Sequence, residues 1–159
     1  MRWLICGSGP TLSDANFDEL PKNRIAVNFA ITVVPDCYLV SCIDDCYFYP
    51  ECDEIHEGKL RIVTPFTLEV ARNRGTVIGD HVVVDIRGGG STGAAVVYAI
   101  DNGATEIIFY GIGGNGHAKE LDWYKDNAPE ELSQELNYSL QRANWTEYAE
   151  SRGVKLDIR

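Results

Sequence analysis

Positive charge is what this sequence has least of. Its 159 residues set 14 lysines and arginines against 24 acids, a net charge of −10 at pH 7. A nucleic-acid coat or an anionic membrane surface needs a basic footprint, so neither is expected as a partner. No apolar run approaches membrane-spanning length, and "MRWLICGSGP" is broken by glycine too early for a signal peptide. These absences point to a soluble, cytoplasmic protein. A small anionic ligand stays open, because backbone N–H groups and helix N-termini can supply positive potential locally.

Metal and phosphate motifs are also scarce. Five cysteines stand at Cys6, Cys37, Cys42, Cys46 and Cys52, with no C-x-x-C pair and no common zinc spacing. Cys6 and Cys42 lie in apolar runs, as reduced, partly buried thiols do. There is no G-K-[ST], which excludes a P-loop, and no spaced D-x-D. "GSGPTL" is not G-x-G-x-x-G, because Leu12 stands where the third glycine belongs. Internal repeats, low-complexity tracts and linkers are missing too, so residues 1–159 read as one domain.

What the chain does have is alternation. The runs "RWLICG", "RIAVNFA", "CYLVSCI", "LRIVTP", "HVVVDI", "EIIFYGI" and "VKLDI" have the length and β-rich composition of buried strands. Between them, "GAAVVYAIDN" reads as a helix capped by Ser91 or Thr92 and closed at Gly103. "APEELSQELNYSLQRANWTEYAESRG" reads as another, with Pro129 in its first turn and Leu132, Leu136, Leu140 and Trp145 at near-helical spacing. Strand, glycine loop, helix and strand make a βαβ unit. The predicted fold is α/β, a mostly parallel sheet flanked by helices. The polar stretch from Gly111 to Glu130 is long for its place and reads as a lid or binding loop.

Two glycine loops follow strands in this scheme, "GSGP" at Gly7–Pro10 and "RGGGSTG" at Arg87–Gly93. In a doubly wound sheet, ligands bind outside the carboxyl ends of the strands near the topological switch point. Glycine lets a ligand approach the backbone, and a helix opening at Ser91 aims free N–H groups at an anion. A tight turn accounts for "GSGPTL" alone equally well. Together, the loops are expected to form one nucleotide pocket from Gly7, Ser8, Gly9 and Pro10 with Gly90, Ser91, Thr92 and Gly93.

Other side chains supply further candidates. Asp44 and Asp45 form a carboxylate pair at a strand end, suited to ribose hydroxyls or a divalent ion. Such an ion would be an optional extra; no cofactor is required. His117, in the long loop, is the candidate general base, with a solvated loop histidine as the plain alternative. His56 sits among Asp53, Glu54 and Glu57 and reads as solvated; His81 reads as a strand-entry residue. Arg87 could pair with phosphate, Tyr47, Phe48 and Tyr49 could stack on a base, and Asp85 could face the crevice or cap its turn.

Taken together, "LICGSGPTLSDANFDELP", "RIAVNFA", "DCYLVSCIDDCYF" and "GGGSTGAAVVYAIDNGATEIIFYGI" resemble the Rossmann-like fold of the Campylobacter-type bacterial sialyltransferases. The same pattern marks the related 6-hydroxymethylpterin pyrophosphokinase-like family and many phage proteins. The resemblance implies that Gly7, Ser8, Gly9 and Pro10 surround a nucleotide. It implies that Asn28 contacts nucleotide or sugar, that Asp44 is the polar residue after the third strand, and that Ser91, Thr92 and Gly93 hold phosphate or ribose. Gly113 stands where the family usually carries aspartate. His117, Tyr124 and Tyr138 occupy the region of its lid without matching its histidine motif. The functional expectation is a nucleotide- or nucleotide-sugar-binding protein, a glycosyl or phosphoryl transferase if active, with His117 and Asp44 as catalytic candidates. The alternative is a phage-type module that sequesters or senses a nucleotide, cyclic ones included, without turnover. Self-association stays open in either case.

Overall fold

The computed structural model describes residues 1–43, 52–86, 89–113, 118–121 and 134–159. Seven strands form one parallel sheet: β1 (Arg2–Cys6), β2 (Arg24–Val27), β3 (Leu39–Ser41), β4 (Leu60–Val63), β5 (His81–Val83), β6 (Glu106–Tyr110) and β7 (Lys155–Ile158). Their order across the sheet is β5-β4-β3-β2-β1-β6-β7. Each of the seven apolar runs contributes one strand. Winding proceeds outward from β1 to β5, then resumes on the other side of β1 at β6. The switch point therefore lies between β1 and β6, where Leu4 is in register with Ile108 and Cys6 with Tyr110.

Because side chains alternate along a strand, each strand feeds two cores. Trp3, Ile5, Ile107 and Phe109 point to one face; Leu4, Cys6, Ile108 and Tyr110 point to the other. The first face is covered by α3 (Gly90–Asp101) and α4 (Gln134–Ser151). Five residues of α3 between Ala94 and Ala99 are fully or almost fully buried there, and Trp145 of α4 stacks on Phe109 at 5.1 Å. The second face has a thinner cover. It comprises the 3-10 turns η1 (Pro10–Asp14), η2 (Asn28–Thr32) and η3 (Lys119–Leu121), with the short helix α1 (Cys52–Ile55). Helix α2 (Pro65–Asn73) links β4 to β5; Thr64 caps it by accepting from Thr67 N at 3.3 Å.

Three readings of the sequence change here. Helix α4 buries Trp145 and Ala149 but leaves Leu140 60 % exposed, so Leu140 is not a core position. His56, expected in solvent, is 2 % exposed, and neither ring nitrogen has a hydrogen-bond partner among the described residues. Of the acids beside it in sequence, Glu54 and Glu57 are exposed. Helix α3 is capped by Gly89, not by Ser91 or Thr92, which fall within its first turn.

At the amino end of β2, Arg24 is almost fully buried, with no carboxylate partner among the described residues. It donates to the carbonyls of Pro21, Pro35 and Phe17 at 2.9, 2.7 and 2.6 Å. Those bonds satisfy a charge that would otherwise be costly to bury. Cys6, Cys37 and Cys42 are free thiols and buried, as the sequence suggested. Burial pushes the Cys6 thiol up to about 12 and raises that of Cys37 as well.

Candidate functional site at the carboxyl edge of the sheet

The loop after β1 and the loop after β6 meet at the switch point. Gly7 N donates to Tyr110 O and Gly9 N to Gly111 O, both at 2.8 Å. Gly111 N donates in turn to Thr11 Oγ1 at 2.8 Å, and Thr11 Oγ1 donates to Arg159 O at 3.0 Å. A Cβ at Gly7 would collide with the carbonyl oxygen of Gly111, and one at Gly9 would lie 2.8 Å from the carbonyl oxygens of both Gly111 and Gly113. Gly111 itself has φ of +66°. The glycines at this end of the sheet therefore let two backbones interlock. The amides of Gly7, Gly9 and Gly111 are already engaged. Ser8, partly exposed, and Pro10, exposed, form the outer rim of the first loop. Ser8 O accepts from Ala118 N at 2.8 Å, which pins the start of the long loop; Ser13 Oγ donates to Glu120 Oε2 at 2.7 Å nearby.

The second glycine loop is anchored elsewhere. A Cβ at Gly90, where φ is +63°, would meet the Gln141 amide, and one at Gly93 would crowd Ile86 at 3.1 Å. Ser91 joins α3 to the end of β3: its carbonyl accepts from Ser41 Oγ at 2.6 Å and its hydroxyl accepts from Ile43 N at 3.1 Å. The amides of Gly90, Ser91 and Thr92 precede the first intrahelical bond, Gly93 N to Gly89 O at 2.8 Å. They are among the donors that a helix start leaves without an intrahelical partner. The first turn of α3 thus stands over the carboxyl end of β3.

Asn28 lies between these two features, at the carboxyl end of β2. Strand β2 stops at Val27, short of the apolar run predicted for it, because Asn28 turns the chain with φ of +54° into η2. Asparagine tolerates that conformation better than most residues, but it remains a strained choice. Asn28 Oδ1 is buried and has no hydrogen-bond partner among the described residues. A buried, unpaired amide oxygen carries a desolvation penalty of about 1–3 kcal/mol. Neighbouring strands are about 4.8 Å apart, so Ser8, Asn28 and the Ile43–Ser91 junction span about 10 Å along one edge.

Five of the sequence candidates thus share an edge: Ser8, Pro10, Asn28, Ser91 and Thr92. Gly7, Gly9, Gly90 and Gly93 lie beneath them as packing positions. Asp44, Asp45, Tyr47, Phe48, Tyr49, Arg87, His117 and Tyr124 lie outside the described residues. His81 opens β5, and Asp85 is exposed after it. Among the described residues there is no group of three or more histidines, cysteines or acids that could hold a metal. No described helix is long and apolar enough to cross a membrane. What sequence reasoning missed is Thr11, whose hydroxyl joins both loops to the end of β7. An unremarkable threonine after "GSGP" gives no local signal of that role.

No protein-family model, curated protein or solved structure matches this chain.

Proposed function

We propose that the carboxyl edge formed by Ser8, Asn28, Ser91 and Thr92 binds a nucleotide or nucleotide-sugar, in the service of glycosyl or phosphoryl transfer. The observation that carries this reading is Asn28. A strained backbone and a buried, unpaired amide oxygen both cost stability, and such costs cluster at ligand sites. A ribose hydroxyl or a base amino group would supply the missing donor. The amides opening α3, which have no intrahelical acceptor, suit a phosphate oxygen beside it. The similarity of the sequence to the sialyltransferase-like group points the same way.

A second reading at the same edge is binding without turnover. Ser8, Asn28, Ser91 and Thr92 are neutral and move no proton at ordinary pH, so the described groups favour recognition over acid–base chemistry. The catalytic candidates of the first reading are His117 and Asp44.

Thermal unfolding with CMP-, UDP- and GDP-sugars and cyclic nucleotides tests both. One ligand class is expected to stabilise the protein, by about 2.7 kcal/mol at a hundred times its Kd. Asn28→Gly relieves the backbone and removes the orphaned oxygen. It is expected to raise the ligand-free Tm by about 2–4 °C while cutting affinity tenfold or more. If no nucleotide shifts the Tm, the reading is wrong. Recovery of the ligand intact favours the binding module; turnover abolished by His117→Ala favours the transferase.

A further inference from the structure

The two edges of the sheet are built differently. On β7, Lys155 Nζ lies 2.7 Å from Glu106 Oε1, and Asp157 Oδ2 lies 2.8 Å from Arg159 Nη2 just beyond the strand. Charged side chains on an edge strand deter pairing with another chain. Edge strand β5 instead runs His81, Val82, Val83 and continues into Val84. Val83 is 44 % exposed, and Val77, on the approach to β5, is 85 % exposed. Phe66 on α2, the helix feeding β5, is exposed as well.

Hydrogen-bond direction fixes which backbone groups face outward. Arg61 N donates to Asp80 O at 3.0 Å and Val84 N donates to Val63 O at 2.8 Å. Positions 80, 82 and 84 therefore face β4, and by the period of two, His81, Val83 and Asp85 face away from it. A two-fold axis through Val83 would oppose Val83 to its own copy, Val82 to Val84 and His81 to Asp85. In that register, the one that sets His81 opposite Asp85, the outward N–H and C=O groups form antiparallel hydrogen-bonded pairs. Apolar side chains then meet apolar ones, and an imidazole faces a carboxylate at each end of the contact.

We propose that the β5 edge binds a second copy of this chain, β5 against β5 and antiparallel, joining two seven-stranded sheets into one. The match of valine with valine and of His81 with Asp85 across the axis selects a copy of the same chain over an unrelated peptide. Its recognition elements are on β5, apart from the carboxyl-edge site, so either proposal can fail without the other.

Light scattering on the full chain across micromolar concentrations tests it. The expected mass is twice that of the chain at the upper end. Val83→Pro deletes an outward N–H and spares the donors facing β4, as proline on an edge strand can. It is expected to stay monomeric with an unchanged far-ultraviolet circular dichroism spectrum. Should that variant misfold, Val83→Cys decides. Directly opposed residues of a hydrogen-bonded pair lie about 5.5 Å apart at Cα, within disulfide range. Mild copper–phenanthroline oxidation is expected to yield a peptide cross-linked between the two copies at position 83. A protein monomeric at every concentration overturns the proposal. So does a dimer that withstands Val83→Pro, lacks the cross-link at position 83, or forms only with a peptide from another protein.

Discussion

Gly7 and Asn28 show two different uses of an uncommon residue. At Gly7 the missing side chain is a packing requirement, because the Gly111 carbonyl occupies the space a Cβ would need. Overpacking of that kind typically costs about 1–3 kcal/mol. Gly7→Ala is therefore expected to lower the Tm by about 3–10 °C, read by calorimetry, whether or not ligand is present. At Asn28 the strain is unrelieved by any described neighbour, so its cost should respond to ligand. The contrast was only half legible in the sequence. "GSG" after an apolar run signals a tight backbone, but the neighbour that makes it tight is Gly111, about a hundred residues away. His56 is the converse case. Its charged neighbours suggested water, yet the turn after α1 buries His56 and exposes Glu57.

At the scale of elements, the carboxyl edge depends on one junction. Ser41 and Ser91 tie β3 to the first turn of α3 through two hydrogen bonds, with Ile43 N as the second donor. Ser91→Ala leaves that amide without its acceptor and is expected to cost about 1–2 kcal/mol. Ser41→Ala removes the other bond, and the double variant should lose less than the sum, because both bonds fix the same junction. Denaturant unfolding of the three variants measures the coupling. The strands were legible because buried parallel strands are continuous apolar runs. Of the row read for α4, Trp145 is buried and Leu140 is exposed. Gln141, Trp145, Tyr148 and Ala149 follow helical spacing, with Gln141 beside Gly90 and Trp145 buried against the sheet. Leu140, more apolar than Gln141, sits one position off that stripe. Apolar content put Leu140 in the row in place of Gln141 because a glycine on α3 makes room for an amide there.

For the whole molecule, the buried thiols set an alkaline limit. Cys6 has an ordinary value of 9.0 and is pushed up to about 12 in the fold, because burial penalises the thiolate. The raised value favours the neutral form, so this contribution to stability is complete below pH 9 and is lost as pH climbs toward 12. Cys37 shifts in the same direction. The Tm is expected to fall above pH 9, and less steeply in Cys6→Ala, whose difference from the native protein isolates the thiol. At this scale the sequence was most informative: an α/β fold with a parallel sheet followed from alternation alone. The meeting of the first glycine loop with the "GIGG" loop did not follow, because strand order is decided by long-range pairing.

That order has a consequence for synthesis on the ribosome. Strand β1, with Trp3, Leu4, Ile5 and Cys6 all buried, is the third strand from one end of the finished sheet. Strands β2 to β5 can pair outward from it as they emerge, but its other side belongs to β6, which ends at Tyr110. Until then a strand with four residues destined for the core is a sticky border, and the nascent chain depends on chaperones or on speed. A ribosome-stalled chain ending at Ala104 is expected to be cut within β1 by a probe protease, and the released full chain to be resistant. Folding here should close the interior of the sheet at β6 and its edge at β7, long after the first strand was made.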